Sequence, residues 1–264
     1  MIANIKRGIK SFFLGHGMCL SPATSRQQVA DFLESVKPVI TNHDLIRIGG
    51  DADGGYLIPN DIDNISACFS PGVCESSSFE SDLAQRGVKC FLADYSVDAP
   101  PISNALFDFE KKYLGVKNNE TFMTLEGWIF LKAPDINDSI LQMDIEGSEY
   151  SVILESSSEI LRKFRILVIE FHNLDFIFNK MGFDSINLAF GKLLKDFEIV
   201  HIHPNNSNQP FACNGFFVPP VMEFTFLRKD RVSYKSKSTH FPHVLDVASD
   251  PKKADYVLPQ CWYQ

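Results

Sequence analysis

The chain has 264 residues, a mass of 29.8 kDa and a formal net charge of −8, which fits one large domain with or without extensions. The acidic balance argues against a nucleic-acid partner, because phosphate binding needs clustered Lys and Arg. The apolar runs of the sequence all fall short of the roughly 18 residues needed to cross a bilayer, so no transmembrane segment is predicted.

Residues 1–44 are predicted to form a helical extension. Segment 2–20 mixes basic and apolar residues in a pattern typical of an amphipathic helix that packs on the body of the protein or on a partner. A signal peptide and weak membrane association are alternatives. A second helix is predicted after Ser25, because Gln28 stands three residues later as in a capping box and Pro38 ends the apolar pattern.

Residues 49–55 hold four glycines in seven positions, between two short apolar runs. Such a loop allows a ligand to approach the backbone closely, or it forms the turn of a hairpin. The acid spacing resembles a calcium loop that begins at Asp51, but Ile62 occupies the position where such a loop needs glutamate. A calcium site is therefore not predicted.

From residue 65 onwards, short apolar runs alternate with helical patterns. This alternation is typical of α/β proteins with a doubly wound, mostly parallel sheet. The sheet domain is predicted to span residues 45–232, with a C-terminal surface segment at 233–264. The predicted strands are 65–69, 88–93, 140–143, 164–171 and 197–202, with an antiparallel closing pair at 216–218 and 222–227; the predicted helices are 76–86, 106–114, 125–131, part of 147–161, and 185–195.

The six cysteines form no C-x-x-C pair, so neither a zinc ribbon nor a redox motif is indicated. Cys68 and Cys90 fall in apolar runs, where a buried free thiol is the usual state. We therefore expect a reducing, cytoplasmic setting.

Two residues at the first strand ends suggest a nucleotide-like ligand. Gly72 stands in the turn after the first strand of the sheet, although the G-x-G-x-x-G fingerprint of dinucleotide sites is absent. Asp94 ends the second strand about 20 residues later, where an acid commonly accepts hydrogen bonds from ribose hydroxyls. The alternatives are a plain turn glycine and a solvated helix cap.

Three pairs of polar residues stand at positions i and i+2, and each pair therefore shares one face of a strand. All of them lie at predicted strand ends, which meet at the same edge of a parallel sheet. The pairs are Asp144 with Glu146, Glu170 with His172, and His201 with His203.

Three hypotheses for these residues remain open. In the first, Asp144, His172 or His203 is a general base that takes a proton from a hydroxyl group. In the second, Asp144, Glu170 and His172 bind a divalent metal such as Mn²⁺ or Mg²⁺. In the third, the residues form a structural hydrogen-bond network.

The stretch 141–149, Leu-Gln-Met-Asp-Ile-Glu-Gly-Ser-Glu, is the most distinctive in the chain. With it and several further segments, the chain resembles the FkbM family of S-adenosylmethionine-dependent methyltransferases over roughly residues 45 to 228. The further segments are Ser70-Pro71-Gly72-Val73, Phe79-Glu80, Asp94, 124–128, 169–172, 201–206, 218–220 and 222–224.

The resemblance implies a class I, Rossmann-like methyltransferase fold, with S-adenosylmethionine over the carboxyl ends of the first strands. It implies cofactor contacts for one set of residues, of which Glu126 and Trp128 would lie near the adenine together with Leu125. That set is Ser70, Gly72, Glu80, Asp94, Glu126, Trp128 and Asp144. Family members generally O-methylate sugars or sugar-bearing natural products, which implies a nucleotide sugar or a surface-glycan precursor as the substrate.

Four side chains are expected to bind the sugar hydroxyls, namely Glu146, Asn205, Asn206 and Asn214. Two other functions remain as alternatives: an NAD-dependent sugar oxidoreductase or epimerase, against which the missing glycine fingerprint counts, and a non-catalytic binding protein on the same fold. Residues 12–14, Phe241 and Trp262 are candidates for the interface of a homo-oligomer.

Overall fold

The computed structural model describes residues 2–17, 20–51, 53–74, 76–255 and 257–264. Its α-helices, in chain order, are α1 (Ile2–Gly15), α2 (Arg26–Ser35), α3 (Ser78–Gln85), α4 (Leu125–Lys132), α5 (Glu149–Glu155), α6 (Ser158–Leu161) and α7 (Lys180–Asp196). Short 3₁₀ helices cover Leu174–Phe178, Lys229–Arg231 and Gln260–Trp262. Within these ranges, every helix is too short or too polar to span a bilayer.

The strands form one large sheet and several two-stranded ones. In chain order they are β1 (Val39–Thr41), β2 (Leu45–Ile48), β3 (Tyr56–Pro59), β4 (Ala67–Pro71), β5 (Lys89–Ala93), β6 (Phe107–Glu110), β7 (Tyr113–Leu114), β8 (Phe122–Met123), β9 (Ser139–Met143), β10 (Phe164–Phe171), β11 (Phe197–Pro204), β12 (Phe211–Cys213), β13 (Phe216–Val218), β14 (Met222–Arg228) and β15 (Lys235–Lys237).

The large sheet has seven strands in the order β11-β14-β10-β9-β4-β5-β6. From β10 to β6 all neighbours are parallel, whereas β14 runs antiparallel to both β10 and β11. The order reverses direction at β4 and β9, which lie side by side although the β4–β5–β6 half precedes β9 in the chain. The predicted Rossmann-like α/β fold is therefore confirmed, and ligands are expected at the carboxyl ends near this reversal.

The core lies on both faces of the sheet, because successive residues of a buried strand point to opposite sides. In β4, Phe69 belongs to the core that also contains residues of α2, α4, α5 and α7. The neighbouring Cys68 packs in the other core, with residues of α3 and of the β2–β3 hairpin. The thiols of Cys68 and Cys90 are free and buried, as predicted, whereas Cys19 lies outside the described residues.

The helix predicted over 106–114 is wrong, because Phe107–Glu110 forms the edge strand β6 and Tyr113–Leu114 forms β7. The sequence Phe-Asp-Phe-Glu alternates apolar and acidic residues with a period of two, which is typical of a strand. Pairing of β6 with β5 then places an edge strand beside the carboxyl end of β5.

The predicted closing pair is correct in part. Met222–Arg228 is the antiparallel strand β14, and it lies between β10 and β11. Phe216–Val218 instead pairs with Phe211–Cys213 in a separate hairpin. The turn of that hairpin is Asn214-Gly215, and both residues have positive φ, at 53° and 83°, as a tight two-residue hairpin turn requires.

Helix α2 and the C-terminal segment contribute to the main core. Helix α2 begins at the predicted capping box, in which the Gln28 N–H donates to Ser25 Oγ over 3.2 Å. Residues 18 and 19 of the predicted leading helix lie outside the described residues, and α1 ends at Gly15. Trp262 is fully buried and donates from Nε1 to the Phe217 carbonyl over 3.0 Å. The expectation of Trp262 at an interface is therefore wrong.

The glycine-rich loop of residues 49–55 connects β2 and β3, which pair as an antiparallel hairpin. It rests on the start of α3, where the Gly50 N–H donates to Ser78 Oγ over 3.2 Å and Ser78 Oγ donates to the Gly54 carbonyl over 3.2 Å. The hairpin interpretation is therefore correct, and the hairpin turn lies close to the carboxyl ends of the central strands.

Candidate active site

A cavity of about 600 Å³ opens at the carboxyl ends of β4, β5 and β9. It is enclosed by the loops after β4, β5 and β9, the hairpin turn before β3, the start of α3 and the small β7–β8 sheet. Its lining includes Asp53, Tyr56, Gly72, Cys74, Glu80, Asp94, Ser96, Tyr113, Leu114, Phe122, Gln142, Asp144 and Glu146. The predicted edge of the sheet therefore carries a pocket of the size that binds small ligands.

Gly72 is the point where the loops after β4 and β9 meet. Its φ is +92°, and a Cβ atom at this position would lie 1.6 Å from the Asp144 carbonyl oxygen. Its N–H donates to the Ala93 carbonyl over 2.8 Å, which ties the turn to β5. Glycine is needed here because two backbones approach closely, whether or not a cofactor is bound.

Asp94 follows β5 and is only 5% exposed. One carboxylate oxygen accepts from the Cys74 N–H over 3.0 Å, and the other accepts from the Ser96 N–H and hydroxyl over 2.7 Å each. These bonds fix the carboxylate at the cavity wall. A carboxylate accepts about four hydrogen bonds, so acceptor capacity remains for a ligand's hydroxyl groups.

Glu80 is buried beneath the cavity, next to Ser70 and Gln142. Burial raises the pKa of Glu80 to about 7. Ser70 Oγ lies within hydrogen-bond distance of Glu80 Oε1, and within 2.6 Å of Gln142 Oε1. One hydroxyl proton cannot serve both acceptors. A protonated Glu80 solves this, because it donates to Ser70 while Ser70 donates to Gln142.

The Glu80→Gln variant is therefore expected to alter how stability depends on pH. Since the folded pKa of Glu80 is about 7 and the unfolded value is 4.5, its stabilisation is complete below pH 4.5 and is lost as pH rises through 7. Between about pH 4.5 and 8, the free energy of unfolding of the wild type should therefore fall by roughly 3 kcal/mol relative to that of the variant. Urea unfolding across this range measures the difference, and parallel profiles would refute it.

Glu149 was not among the predicted site residues, yet it organises the loop after β9. It is fully buried in the first turn of α5. Its Oε1 accepts from the Ile145 and Gly147 N–H groups over 3.1 Å each, and lies 3.2 Å from His172 Nδ1. The sequence could have indicated this role, because an acid in the first turn of a helix commonly accepts hydrogen bonds from the N–H groups just before the helix.

His172 is surrounded by carboxylates. Its Nε2 lies 3.8 Å from Asp144 Oδ1, 3.7 Å from Glu170 Oε1 and 3.5 Å from Glu146 Oε2. Burial opposes protonation of the imidazole, but the hydrogen bond and charge of Glu149 and the charge of Asp144 outweigh it and raise the pKa of His172. The structure thus brings together the residues predicted at the ends of β9 and β10.

Asp144 and Glu170, the carboxyl groups at the ends of β9 and β10, both have raised pKa values. Burial raises the pKa of Asp144 to about 7, and the charges of Asp53 and Glu146 add to this effect. Burial and the charges of Asp144 and Glu223 raise the pKa of Glu170. Carboxyl groups with raised pKa values are common at functional sites.

A row of polar residues crosses the sheet beyond Glu170. Glu170 is paired with Glu223 of β14, and Glu223 with His203 of β11. Burial opposes protonation of His203, but the charge of Glu223 outweighs it and raises the pKa of His203 to about 9. His201 is bound elsewhere, with its Nε2 2.8 Å from Asp246 Oδ1. The sequence did not identify Glu223 because antiparallel register depends on the fold.

The three asparagines predicted to bind substrate lie in different places. Asn205 is buried and donates from Nδ2 to Glu170 Oε1 over 3.1 Å, beside the predicted residues. Asn206 binds the C-terminal segment, donating to the Asp250 carbonyl over 2.9 Å and accepting from the Asp250 N–H over 2.7 Å. Asn214 lies in the β12–β13 turn. Asn205 therefore lies beside the strand-end residues, the side chain of Asn206 holds the C-terminal segment, and Asn214 is exposed in a turn.

Trp128 also requires correction. Its side chain is fully buried and packs edge-on against Phe69, with ring centroids 5.0 Å apart. Glu126 of the same helix is exposed, and neither residue lines the cavity. The apolar wall of the cavity comes instead from Tyr113, Leu114 and Phe122 of the small β7–β8 sheet. Because the sequence predicted a helix at 106–114, this wall was missed.

Among the described residues, Asp144, Glu149 and His172 form a group whose ligand atoms all lie within 4.8 Å of one another. The predicted metal set contained Glu170 in place of Glu149. Glu170 remains next to the group, at 3.7 Å from His172 Nε2. We call these four residues, Asp144, Glu149, Glu170 and His172, the strand-end cluster.

Comparison with known families supports the predicted resemblance. Residues 111–202 match the family model described as the methyltransferase FkbM domain. This match covers the apolar wall, β9, the whole strand-end cluster and most of β11, and it is shorter than the 45–228 over which the resemblance was predicted. The search of curated proteins found no match. The chain thus carries a methyltransferase FkbM domain match over residues 111–202, on a sheet consistent with a Rossmann-like methyltransferase fold.

Proposed function

We propose that this protein transfers a methyl group from S-adenosylmethionine to a hydroxyl of a sugar, either a nucleotide sugar or a surface-glycan precursor. The observation that carries the proposal is the cavity at the carboxyl ends of β4, β5 and β9, which adjoins the strand-end cluster inside the FkbM match. Free, buried thiols at Cys68 and Cys90 support a cytoplasmic setting.

The residues of the cavity fit the proposed cofactor. Asp94 is fixed in place and retains acceptor capacity for ribose hydroxyls. Tyr113, Leu114 and Phe122 offer an apolar wall for a purine ring, in place of Trp128. Gly72 and Glu80 also line the cavity, whereas Ser70 acts through its bond to Glu80. The bound cofactor supplies a methyl group that its sulfonium centre already activates.

The acceptor hydroxyl is proposed to bind where Asp144 and Glu146 line the cavity. Methyl transfer requires an aligned nucleophile and removal of its proton. A carboxylate of this pair is the proton acceptor, with His172 holding the acids in place. His203 is not assigned this role, because its pKa of about 9 keeps it protonated at neutral pH.

The test is a calorimetric titration with S-adenosylhomocysteine. The wild type is expected to bind, and Asp94→Asn to weaken binding by about 10-fold to 100-fold, because hydrogen bonds to a charged group contribute roughly 1.5–3 kcal/mol. Ser96→Ala is the matched control, since it removes one loop bond to Asp94 and leaves the carboxylate. No binding by the wild type, or equal losses in both variants, would overturn the proposed cofactor site.

A further inference from the structure

The strand-end cluster concentrates buried carboxyl groups without a lysine or an arginine. Among the described residues, the ion pairs of its three carboxylates run to His172 and to no Lys or Arg. The opposite end of the sheet differs, because Asp138, before β9, is paired with Arg165 at 3.0 Å and with Arg228 at 2.7 Å. Buried carboxylates normally have such partners or bind a metal.

Three buried oxygens of the cluster have no hydrogen-bond partner, and two of them belong to side chains that are almost fully buried. These two are Oε2 of Glu149 and Oε2 of Glu170, in side chains that are 0% and 4% exposed. The third is Asp144 Oδ1. Leaving a buried acceptor unsatisfied is costly, and native proteins rarely do so without a bound ion or water.

The geometry of His172 resembles that of a metal ligand. Its Nδ1 lies 3.2 Å from Glu149 Oε1, which is itself fixed by two backbone N–H groups. Metal-binding histidines are usually oriented in this way by a carboxylate at the second nitrogen. The free Nε2 then lies between Asp144, at 3.8 Å, and Glu170, at 3.7 Å.

We propose that the strand-end cluster binds a divalent cation of the Mn²⁺ or Mg²⁺ type. Its ligands would be Nε2 of His172 and the oxygens of Asp144 and Glu170 that lie 3.8 and 3.7 Å from it, with Glu149 orienting the imidazole. Two ligands of one Mg²⁺ lie at most about 4.2 Å apart. Small side-chain movements would close the site. A donor set dominated by carboxylate oxygens suits these hard cations, and the imidazole favours Mn²⁺.

The role of the cation rests on the proposed function. It would bind the acceptor hydroxyl oxygen next to Asp144 and lower the pKa of that hydroxyl. Glu146 lines the cavity and would accept the proton. The oxygen then forms its bond to the methyl carbon as the sulfur–carbon bond of the cofactor breaks, and neutral S-adenosylhomocysteine leaves. With Asp144 ligating the cation, Glu146 is the member of the pair that takes the proton.

The test is titration of the EDTA-treated full chain with MnCl₂, followed by the electron paramagnetic resonance signal of free Mn²⁺. The wild type is expected to bind one Mn²⁺, and Asp144→Asn and Glu170→Gln each to weaken binding by about 10-fold or more. Asp138→Asn, which changes an Arg-paired acid at the opposite end of the sheet, is the control and should bind as the wild type does. No binding, or equal affinity in all variants, would overturn the site.

A second measurement does not depend on the variants folding. Electron spin echo modulation of Mn²⁺ bound to the wild type should show coupling to a histidine nitrogen, and its absence would overturn the role of His172. Titrating the same sample with S-adenosylhomocysteine separates the two proposals. Mn²⁺ binding without cofactor binding supports the cation site and contradicts the methyltransferase function; cofactor binding without Mn²⁺ binding overturns the cation site alone.

Discussion

Replacing Gly72 by alanine is expected to lower the free energy of unfolding by about 4 kcal/mol or more, which is exceptional for a single substitution. The residue has a φ of +92°, and the added methyl group would lie 1.6 Å from the Asp144 carbonyl oxygen. Neither backbone can move freely, because the Gly72 N–H bonds to β5 and the Asp144 N–H donates to Pro71 over 3.3 Å.

Gly87→Ala is the matched control for this prediction. Gly87 has a similar φ of +82°, but nothing lies within 4 Å of the added Cβ position. Only the cost of a left-handed backbone applies there, roughly 1–2 kcal/mol. Urea unfolding of both variants measures the difference, and equal losses would mean that the close contact at Gly72 has no energetic consequence.

The second large effect is expected for Asp144→Asn, which should lower kcat for methyl transfer by about 100-fold or more. Asparagine has nearly the same shape but binds a cation less strongly, so the acceptor hydroxyl would lose its proton to Glu146 less readily. Asp98→Asn is the control, because Asp98 follows β5 yet is 93% exposed and pairs only with Lys111 among the ion pairs of the described chain.

The Asp144→Asn variant also shows whether Asp144 contacts the acceptor or the cofactor. Affinity for S-adenosylhomocysteine should stay within about threefold of the wild type, because the proposal places Asp144 against the acceptor. A comparable loss in that affinity would place Asp144 against the cofactor. An unchanged kcat would contradict any catalytic role for the strand-end cluster.

The sheet was largely predictable because its strands are short, continuous apolar runs. The strand predicted at 164–171 has the observed bounds, and those at 88–93 and 140–143 differ by one residue at one end. Residues buried on both faces of a parallel sheet produce such runs. Strand β6 was missed because its residues are only partly buried at the edge and alternate with acids.

The site residues that stand at strand ends were predictable from the sequence. Those that reach the site through the fold of a loop or through antiparallel strand pairing were not. Asp144, Glu170 and His172 come together because parallel strands end at one edge. Glu149 reaches them by a fold-back from α5, and Glu223 by antiparallel pairing with Glu170. A local pattern specifies neither contact uniquely.

Trp128 illustrates the opposite error. A tryptophan in a matching motif was assigned to the cofactor, but its helix turns that side chain into the core. Periodicity alone favoured this outcome, since Leu125, Trp128 and Ile129 lie on one helical face and are all buried. The general reason is that large aromatic residues contribute most to stability when buried.

The central claim is methyl transfer to a sugar hydroxyl in this cavity. The most direct measurement is transfer of a radiolabelled methyl group from S-adenosylmethionine to a panel of nucleotide sugars by the wild type and by Asp144→Asn. We expect labelled sugar from the wild type alone, with label that survives alkali because the new bond is an ether. Label released by alkali as methanol, no labelled sugar, or equal transfer by the variant would contradict the claim.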